Sequence, residues 1–346
     1  METLVVHGSN RKSVITVGER HSHAGAYTPH EKAFVVTDTE VRRLYPAFFR
    51  TCEPVVIGTG ERIKTLDTVA LIYEKLLEKE ADRSVFLIGV GGGVVCDVVG
   101  FAAATYLRGV RFGFVPTTLL SQVDAAVGGK NGVNFKGFKN KIGAITQPDF
   151  VWCDPSFFRT LPEREIRSGL AEVVKQAFIA DINLVEYIEN NVQDILSLKS
   201  AAMERLVLDC LRIKAGVVSR DEKEQGERRI LNFGHTVGHA VEQRSGLAHG
   251  EAVSVGMAAA AALSVRLGLL STDKLTRILK LLRRLHLPVS LPAPADEIIA
   301  ALGQDKKREG EALHFVLLND LGRAVVREIN LTELRVLLLE IFKETL

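Results

Sequence analysis

Short runs of β-branched and aromatic residues alternate with helical patterns over the first half of the chain. Phe34-Val35-Val36, Val55-Val56-Ile57, Val85-Phe86-Leu87-Ile88 and Phe112-Gly113-Phe114-Val115 read as buried strands. Thr65 to Lys79 places Leu66, Val69, Ile72, Leu76 and Leu77 on one stripe, which predicts an amphipathic helix. Strands and helices in alternation predict a doubly wound, mostly parallel, Rossmann-like sheet with helices on both faces. After Pro155 helical patterns dominate: Glu163–Ile179, Ser200–Ser219, Asn232–Gln243, Glu251–Leu267 and Thr272–Leu285. One strand pair, His314–Leu318 and Arg323–Val326, turns at Asp320-Leu321-Gly322. Pro155 and Pro162 punctuate the change. The expected division is an α/β domain over 1–160 and a mainly α-helical domain over 161–346.

The 346 residues suffice for two cores, and 47% hydrophobic with 25% charged residues is the profile of a globular protein. A net charge of +2 excludes a general nucleic-acid or membrane binder, so an anionic ligand has to be met by a local cluster of cations. Cys52, Cys96, Cys153 and Cys210 are scattered without a C-x-x-C, the pattern of free thiols in a reducing compartment. The first residues lack the apolar core of a signal peptide. The longest apolar stretch, Ala252 to Val265, is too short to span a bilayer. The cytoplasm is the expected location.

The strand Val85–Ile88 runs into Gly89-Val90-Gly91-Gly92-Gly93-Val94-Val95-Cys96-Asp97. Strand, glycines, helix is how a backbone approaches a pyrophosphate, whose charge sits on free N–H groups at the helix start. The G-x-G-x-x-G spacing is not met, so a dinucleotide turn and a plain tight turn both stand. Asp38 ends another strand; it can accept hydrogen bonds from a ribose or cap the following helix. Gly60-Glu61-Arg62-Ile63-Lys64 and Pro116-Thr117-Thr118 also follow strands, where ligands gather in such sheets.

In the second half, Asn232-Phe233-Gly234-His235-Thr236-Val237-Gly238-His239 puts two histidines four apart on one helix face. His249 precedes the next helix, and Ala171-Glu172-Val173-Val174-Lys175 places an acid and a lysine on one face of an apolar helix. Two or three imidazoles and a carboxylate suit Zn²⁺ or a similar ion with a position left for substrate. A structural histidine pair is the competing reading. Among the cations, Lys130 in Gly128-Gly129-Lys130-Asn131-Gly132 stands out, because a glycine-flanked lysine on an irregular loop brings both a charge and backbone N–H groups to an anion.

Taken together, the motifs resemble 3-dehydroquinate synthase, a family of the sugar-phosphate cyclases. The resemblance rests on Gly91–Asp97, Phe101–Phe112, Val115–Asp124, Val127–Lys130, Lys139-Asn140, Leu170–Lys175, Ile213–Ala215, Leu231–His239 and His249–Glu251, in the family's order over roughly residues 34 to 325. It implies an NAD-binding domain followed by a helical domain for metal and substrate. Its metal ligands fall on Glu172, His235 and His249, holding one Zn or Co ion. Its NAD site falls on Asp38, Thr59, Gly60, Glu61, Arg62, Ile63, Lys64, Gly92, Gly93, Val94, Val95, Cys96, Asp97, Thr117, Thr118, Lys130, Lys139, Phe157, Phe158, Arg159 and Thr160. Its substrate and catalytic set falls on Asp124, Lys130, Lys139, Asn140, Lys175, Lys214, Arg228, Asn232, His239 and Lys306. An arginine lent by the partner subunit falls on Arg108 and implies a homodimer.

The implied reaction converts a phosphorylated seven-carbon sugar acid, 3-deoxy-D-arabino-heptulosonate 7-phosphate, to 3-dehydroquinate and phosphate in the shikimate pathway, with NAD oxidising and later reducing the same molecule. The chain departs from the family at Asn134-Phe135-Lys136-Gly137-Phe138, where many members read N-H-P-L-G; this leaves the shape of that loop open. Cys96 stands where glycine is common, and Glu40 stands two after Asp38, where some members carry an asparagine near the ribose. The rival readings are a sibling sugar-phosphate cyclase of secondary metabolism, a metal-dependent polyol dehydrogenase that releases NADH, and a non-enzymatic NAD-binding module.

Overall fold

The computed structural model describes residues 1–9, 11–18, 33–302 and 312–344. They pack as two compact units, Met1–Leu161 with Met203–Lys223, and Pro162–Ala202 with Glu224–Leu346.

The first unit is built on seven strands: β1 (Glu2–His7), β2 (Lys12–Val17), β3 (Ala33–Asp38), β4 (Val55–Ile57), β5 (Phe86–Gly91), β6 (Arg111–Pro116) and, further along, Phe150–Cys153. Between β6 and that last strand, β7 (Lys130–Phe135) and β8 (Phe138–Ile145) form a separate hairpin, so Phe150–Cys153 is β9. The order is β1-β2-β9-β6-β5-β3-β4, with β1 antiparallel and every other pair parallel. The chain steps outward from β3 to β4, then returns to β5 on the other side of β3. The carboxyl ends of β3 and β5 therefore flank the switch point where such sheets take ligands. Helices α1 (Thr39–Leu44), α2 (Leu66–Glu78) and α3 (Gly93–Thr105) follow β3, β4 and β5. α2 buries Val69, Ile72 and Leu76, three of the five residues of its apolar stripe; Thr65 caps it, while Leu66 and Leu77 are exposed. A cluster of Val35, Phe48, Phe86, Ile88, Val115 and Phe150 forms a large part of the core, with the Phe86 and Phe150 rings stacked at 5.6 Å.

The second unit is mainly helical. α4 (Glu163–Ala180), α5 (Ile182–Asn190) and α6 (Val192–Leu196) lead into α7 (Ser200–Arg220), whose residues from Met203 onward pack with the first unit. α8 (His235–Ser245), α9 (His249–Arg266), α10 (Thr272–Arg284), α11 (Ala295–Leu302) and α12 (Leu331–Glu344) complete it, with the antiparallel pair β10 (Ala312–Asp320) and β11 (Arg323–Asn330) turning at Gly322 (φ 78°). The apolar stretch from Ala252 is the heart of α9, buried without interruption to Ser264, which is why it has no polar face. Among the described residues no helix is long and apolar enough to cross a membrane. The four cysteines form no disulfide, and three of them are buried.

Three local expectations shift. β5 does not stop at Ile88 but continues through Gly89 and Gly91, pairing with β3 and β6, so its last glycines belong to the ladder. The helical pattern from Asn232 begins only at His235: Glu227–Asn232 is a 3-10 turn, and Gly234 turns the chain with φ 78°. Lys130 is not on an irregular loop; it opens strand β7 after Gly128 and Gly129, both with positive φ.

Candidate active site

Helix α4 carries Glu172 and Lys175 one turn apart, fully buried, where they form an ion pair. His235 is the first residue of α8 and His249 the first of α9. Two glycines set these positions. A side chain on Gly234 would meet Met257 and the Val253 carbonyl at 2.7–2.8 Å, and its positive φ is one that L residues seldom adopt. Gly250 rests on the backbone of Ser168, whose hydroxyl accepts its N–H at 3.1 Å, so the start of α9 is seated directly on α4.

The result is convergence on Glu172. Its Oε1 lies 3.6 Å from His235 Nε2 and 3.7 Å from His249 Nε2, and the three candidate ligand atoms all fall within 4.8 Å of one another. The rings of His235 and His249 are 5.4 Å apart, with His239 at 5.4 Å and 6.2 Å from them. Burial, with Lys175 and the other two imidazoles, pushes His235 well below its usual range. Burial also draws His249 down, but its hydrogen bond to Glu242 and the nearby Glu172 outweigh that and leave it raised.

These residues fit a divalent ion. Among the described residues, the Lys175 ammonium pairs with Oε2 of the buried Glu172, while Oε1, which faces the two imidazole nitrogens, has no hydrogen bond. An ionised carboxylate removed from water costs several kcal/mol unless its lone pairs are used. Two imidazole nitrogens and one carboxylate oxygen form a mixed set suited to zinc or a similar metal with an open position. Close by in sequence, Arg228 is buried in the 3-10 turn, and Asn232 is exposed and donates to Glu224.

In the first unit, the register brings several candidates to one sheet edge. Thr37 pairs with Val90 and Gly91 with Pro116, so Asp38 ends β3 beside the positions of Gly92, Gly93, Thr117 and Thr118, which follow the carboxyl ends of β5 and β6. Thr59–Lys64 follow β4, and Phe157–Thr160 follow β9. Gly92 is the N-cap of α3 and offers no side chain, which leaves the first N–H groups of a 13-residue helix to an incoming anion. Asp38 makes the N-cap bond of α1, accepting from Val41 N–H at 2.8 Å. Phe157 and Phe158 are core side chains, while Arg159 and Thr160 are exposed, the Thr160 hydroxyl bonded to Tyr45 at 2.6 Å.

Two lysines of this unit are held by carboxylates. Lys64 Nζ sits 2.5 Å from Asp97 and donates to Asn140 Oδ1 at 2.6 Å. Burial raises the Asp97 carboxyl to about 6 against the opposing pull of Lys64. Lys214, on α7, pairs with the Asp124 carboxylate at 2.5 Å and donates to its backbone carbonyl. The Asn134–Phe138 loop is a two-residue turn through Lys136 (φ 48°) and Gly137 (φ 82°) between paired Phe135 and Phe138. Asn134 ties it back, donating to Glu61 at 2.7 Å and accepting from Asn140 N–H at 3.0 Å. The family's proline is therefore not needed to close it. Lys130 and Lys139 are exposed, and Arg108 lies exposed in Leu107-Arg108-Gly109, three successive residues of positive φ. Lys306 lies outside the described residues.

Sequence reasoning passed over Glu242, which faces the ring of His249; its signal was the spacing of seven residues from His235 on one helix face.

A doubly wound sheet with an open helix N-terminus, joined in one chain to a helical unit bearing a His₂Glu cluster, defines a class of nucleotide- and metal-dependent enzymes. Solved structures of such enzymes are similar over nearly the whole chain. 2-deoxy-scyllo-inosose synthase complexed with carbaglucose-6-phosphate, NAD+ and Co2+ has TM-score 0.87 and 26% identity, covering 98% of this chain and 100% of that one. The 2-epi-5-epi-valiolone synthase of Streptomyces hygroscopicus subsp. jinggangensis 5008, with NAD+ and Zn2+ bound, has TM-score 0.85 and 28% identity, covering 99% of both. The family descriptions 3-dehydroquinate synthase N-terminal and C-terminal match residues 54–168 and 169–308. The 3-dehydroquinate synthase of Acinetobacter baylyi is 40% identical over 341 residues, 94% of each chain. The chain belongs to the 3-dehydroquinate synthase family.

Proposed function

We infer that the protein converts 3-deoxy-D-arabino-heptulosonate 7-phosphate to 3-dehydroquinate and phosphate, as a lyase that depends on NAD and one divalent metal. The observation that carries this reading within the family is Oε1 of the buried Glu172, left by Lys175 to face two imidazole nitrogens. Hydride removal and return is the chemistry NAD supplies when bound, and Lewis-acid polarisation of the reacting hydroxyl is what the metal supplies.

Glu172, His235 and His249 would hold the metal. His239, one turn beyond His235, stands close to both ligand rings and is placed to hold or move a proton at the oxidised carbon's hydroxyl. Lys130, Arg228 and Arg108 bind the phosphate, with Arg108 serving the second subunit of a homodimer. Lys214 and Lys306 orient the carboxylate and hydroxyl end, with Asp124 holding Lys214. Asp97, Lys64 and Asn140 would form a polar anchor beside the nucleotide turn, with Lys64 buried at its centre. Phosphate leaves readily only once a neighbouring ketone has made the adjacent proton acidic, which is why a lyase needs a transient oxidant. The division of labour we propose gives NAD to the first unit, which also carries Lys214, and the metal to the second. The cytoplasm is the proposed location.

The test supplies the heptulosonate phosphate with trace NAD and follows phosphate release, product identity and absorbance of NADH together. Many turnovers with no net NADH support the reading. Stoichiometric NADH points to a polyol dehydrogenase, and turnover of a heptulose or glucose phosphate in its place points to a sibling cyclase.

A further inference from the structure

We propose that Glu242 is a positioning residue of the metal site, fixing the tautomer and orientation of His249; the inference rests on reading Glu172, His235 and His249 as that site. A neutral imidazole carries one N–H. To bind a metal through Nε2, the ring must keep its proton on Nδ1, and an acceptor at Nδ1 selects that form. Both histidines here have such an acceptor. His235 Nδ1 lies 3.2 Å from the Phe233 carbonyl, and its Nε2 points to Glu172. His249 Nδ1 lies 3.4 Å from Glu242 Oε2, and its Nε2 also points to Glu172. One brace is backbone and part of the turn at Gly234. The other is a side chain, so it can be removed.

The geometry favours a dedicated role over a solvated helix acid. His235, His239 and Glu242 stand at positions i, i+4 and i+7 of α8 and share one face. Thus α8 supplies one ligand directly and braces the other, which comes from α9. The Glu242 side chain is only 18% exposed, although glutamate on a helix normally reaches into water. The separation of 3.4 Å is long for a hydrogen bond, and the full charge on the acceptor strengthens it. The next acid along, Glu251, is used otherwise: it accepts the Ala248 N–H at 2.8 Å and caps α9.

The experiment measures Zn²⁺ affinity of the full-length protein by competition with a chromophoric chelator, and the visible absorption band of the Co²⁺-substituted protein. The variants are Glu242→Gln, which keeps an acceptor oxygen, and Glu242→Met, which keeps length but accepts nothing comparable. Glu242→Met is expected to weaken Zn²⁺ binding by about 10- to 100-fold and to shift or broaden the Co²⁺ band. Glu242→Gln is expected to recover most of both. Wild-type affinity and spectrum in Glu242→Met overturn the proposal. Equal losses in the two variants also overturn it, because charge or packing is then what matters. Should Glu242→Met fold poorly, Glu242→Gln and Glu242→Asp in the same two measurements decide it: a brace predicts near-native spectra, with a larger affinity loss for the shorter Asp. His249→Ala runs alongside, and full metal content there overturns the metal-site reading itself.

Discussion

Two buried lysine–carboxylate pairs sit in the two units, and they differ in what remains unpaired. In the first unit, Lys64 binds Asp97 and is also held by Asn140, so the pair belongs to a polar network that extends through Asn134 to Glu61. In the second, Lys175 pairs with Glu172 Oε2, while Oε1 has no hydrogen bond among the described residues and two imidazole nitrogens face it. The first arrangement is complete as folded protein. The second leaves Oε1 and the two imidazole nitrogens open to a metal ion. A buried pair is therefore read by its leftover lone pairs rather than by its charge.

The comparison breaks most sharply under chelation. Removing divalent metal should abolish turnover, and Zn²⁺ or Co²⁺ should restore it. Metal at 1,000 times its dissociation constant should stabilise the fold by about 4 kcal/mol. A rise in melting temperature on metal addition, absent in His249→Ala, is the measurement. If His249→Ala kept full activity and the full rise, the second pair would be an ordinary ion pair like the first.

The Lys64–Asp97 pair should respond to mutation and pH instead. Lys64→Met strands a buried carboxylate, a loss of about 3–5 kcal/mol for such a pair, with the lower end expected because Asp97 can take up a proton. Its carboxyl already stands at about 6 in the folded protein, above the ordinary carboxylate range. The folded state thus binds that proton more tightly than the unfolded chain does. The group's contribution to stability is full below the ordinary carboxylate pKa and is lost as pH rises to about 6. Asp97→Asn should flatten that part of the stability-against-pH curve, measured by denaturant unfolding between pH 4 and 7. An unchanged slope would show that Asp97 is not the group responsible.

The sheet and the long helices were legible in sequence because β-branched runs and 3.6-residue stripes report burial directly. What escaped was set by contacts distant in sequence. The end of β5 was hidden because Gly89 and Gly91 are poor strand formers, yet a side chain at Gly89 would press on Phe114 and Val99. The β7–β8 hairpin was hidden because most of β8 and the tip are exposed, so no apolar alternation marks them. That α7 packs largely with the first unit follows from its neighbours, not from any pattern in its own residues. In the active site, residue types and spacing suggested His235, His239, His249 and Glu172 as a group, with a structural histidine pair still open. That Glu172 Oε1 has no hydrogen bond among the described residues, and that Glu242 stands at the back of His249, needed coordinates.

The smallest expected effect concerns Asp38, where two readings of one residue can be separated. Its side chain caps α1 by accepting from Val41 N–H, and burial raises its carboxyl above the usual value despite that bond. Loss of an N-cap costs about 1 kcal/mol, and α1 has only six residues, so Asp38→Ala should lower stability by that amount or less. Asparagine caps a helix about as well as aspartate, so Asp38→Asn should leave unfolding nearly unchanged. The proposed ribose contact depends on a different property. A carboxylate accepts from both ribose hydroxyls, whereas an amide offers one acceptor oxygen and turns a donor toward the other. Asp38→Asn should therefore weaken NAD binding, read by titration calorimetry, while the melting temperature holds. Wild-type NAD affinity in Asp38→Asn would leave Asp38 as a helix cap alone and move the ribose to other residues at the β3–β5 switch point.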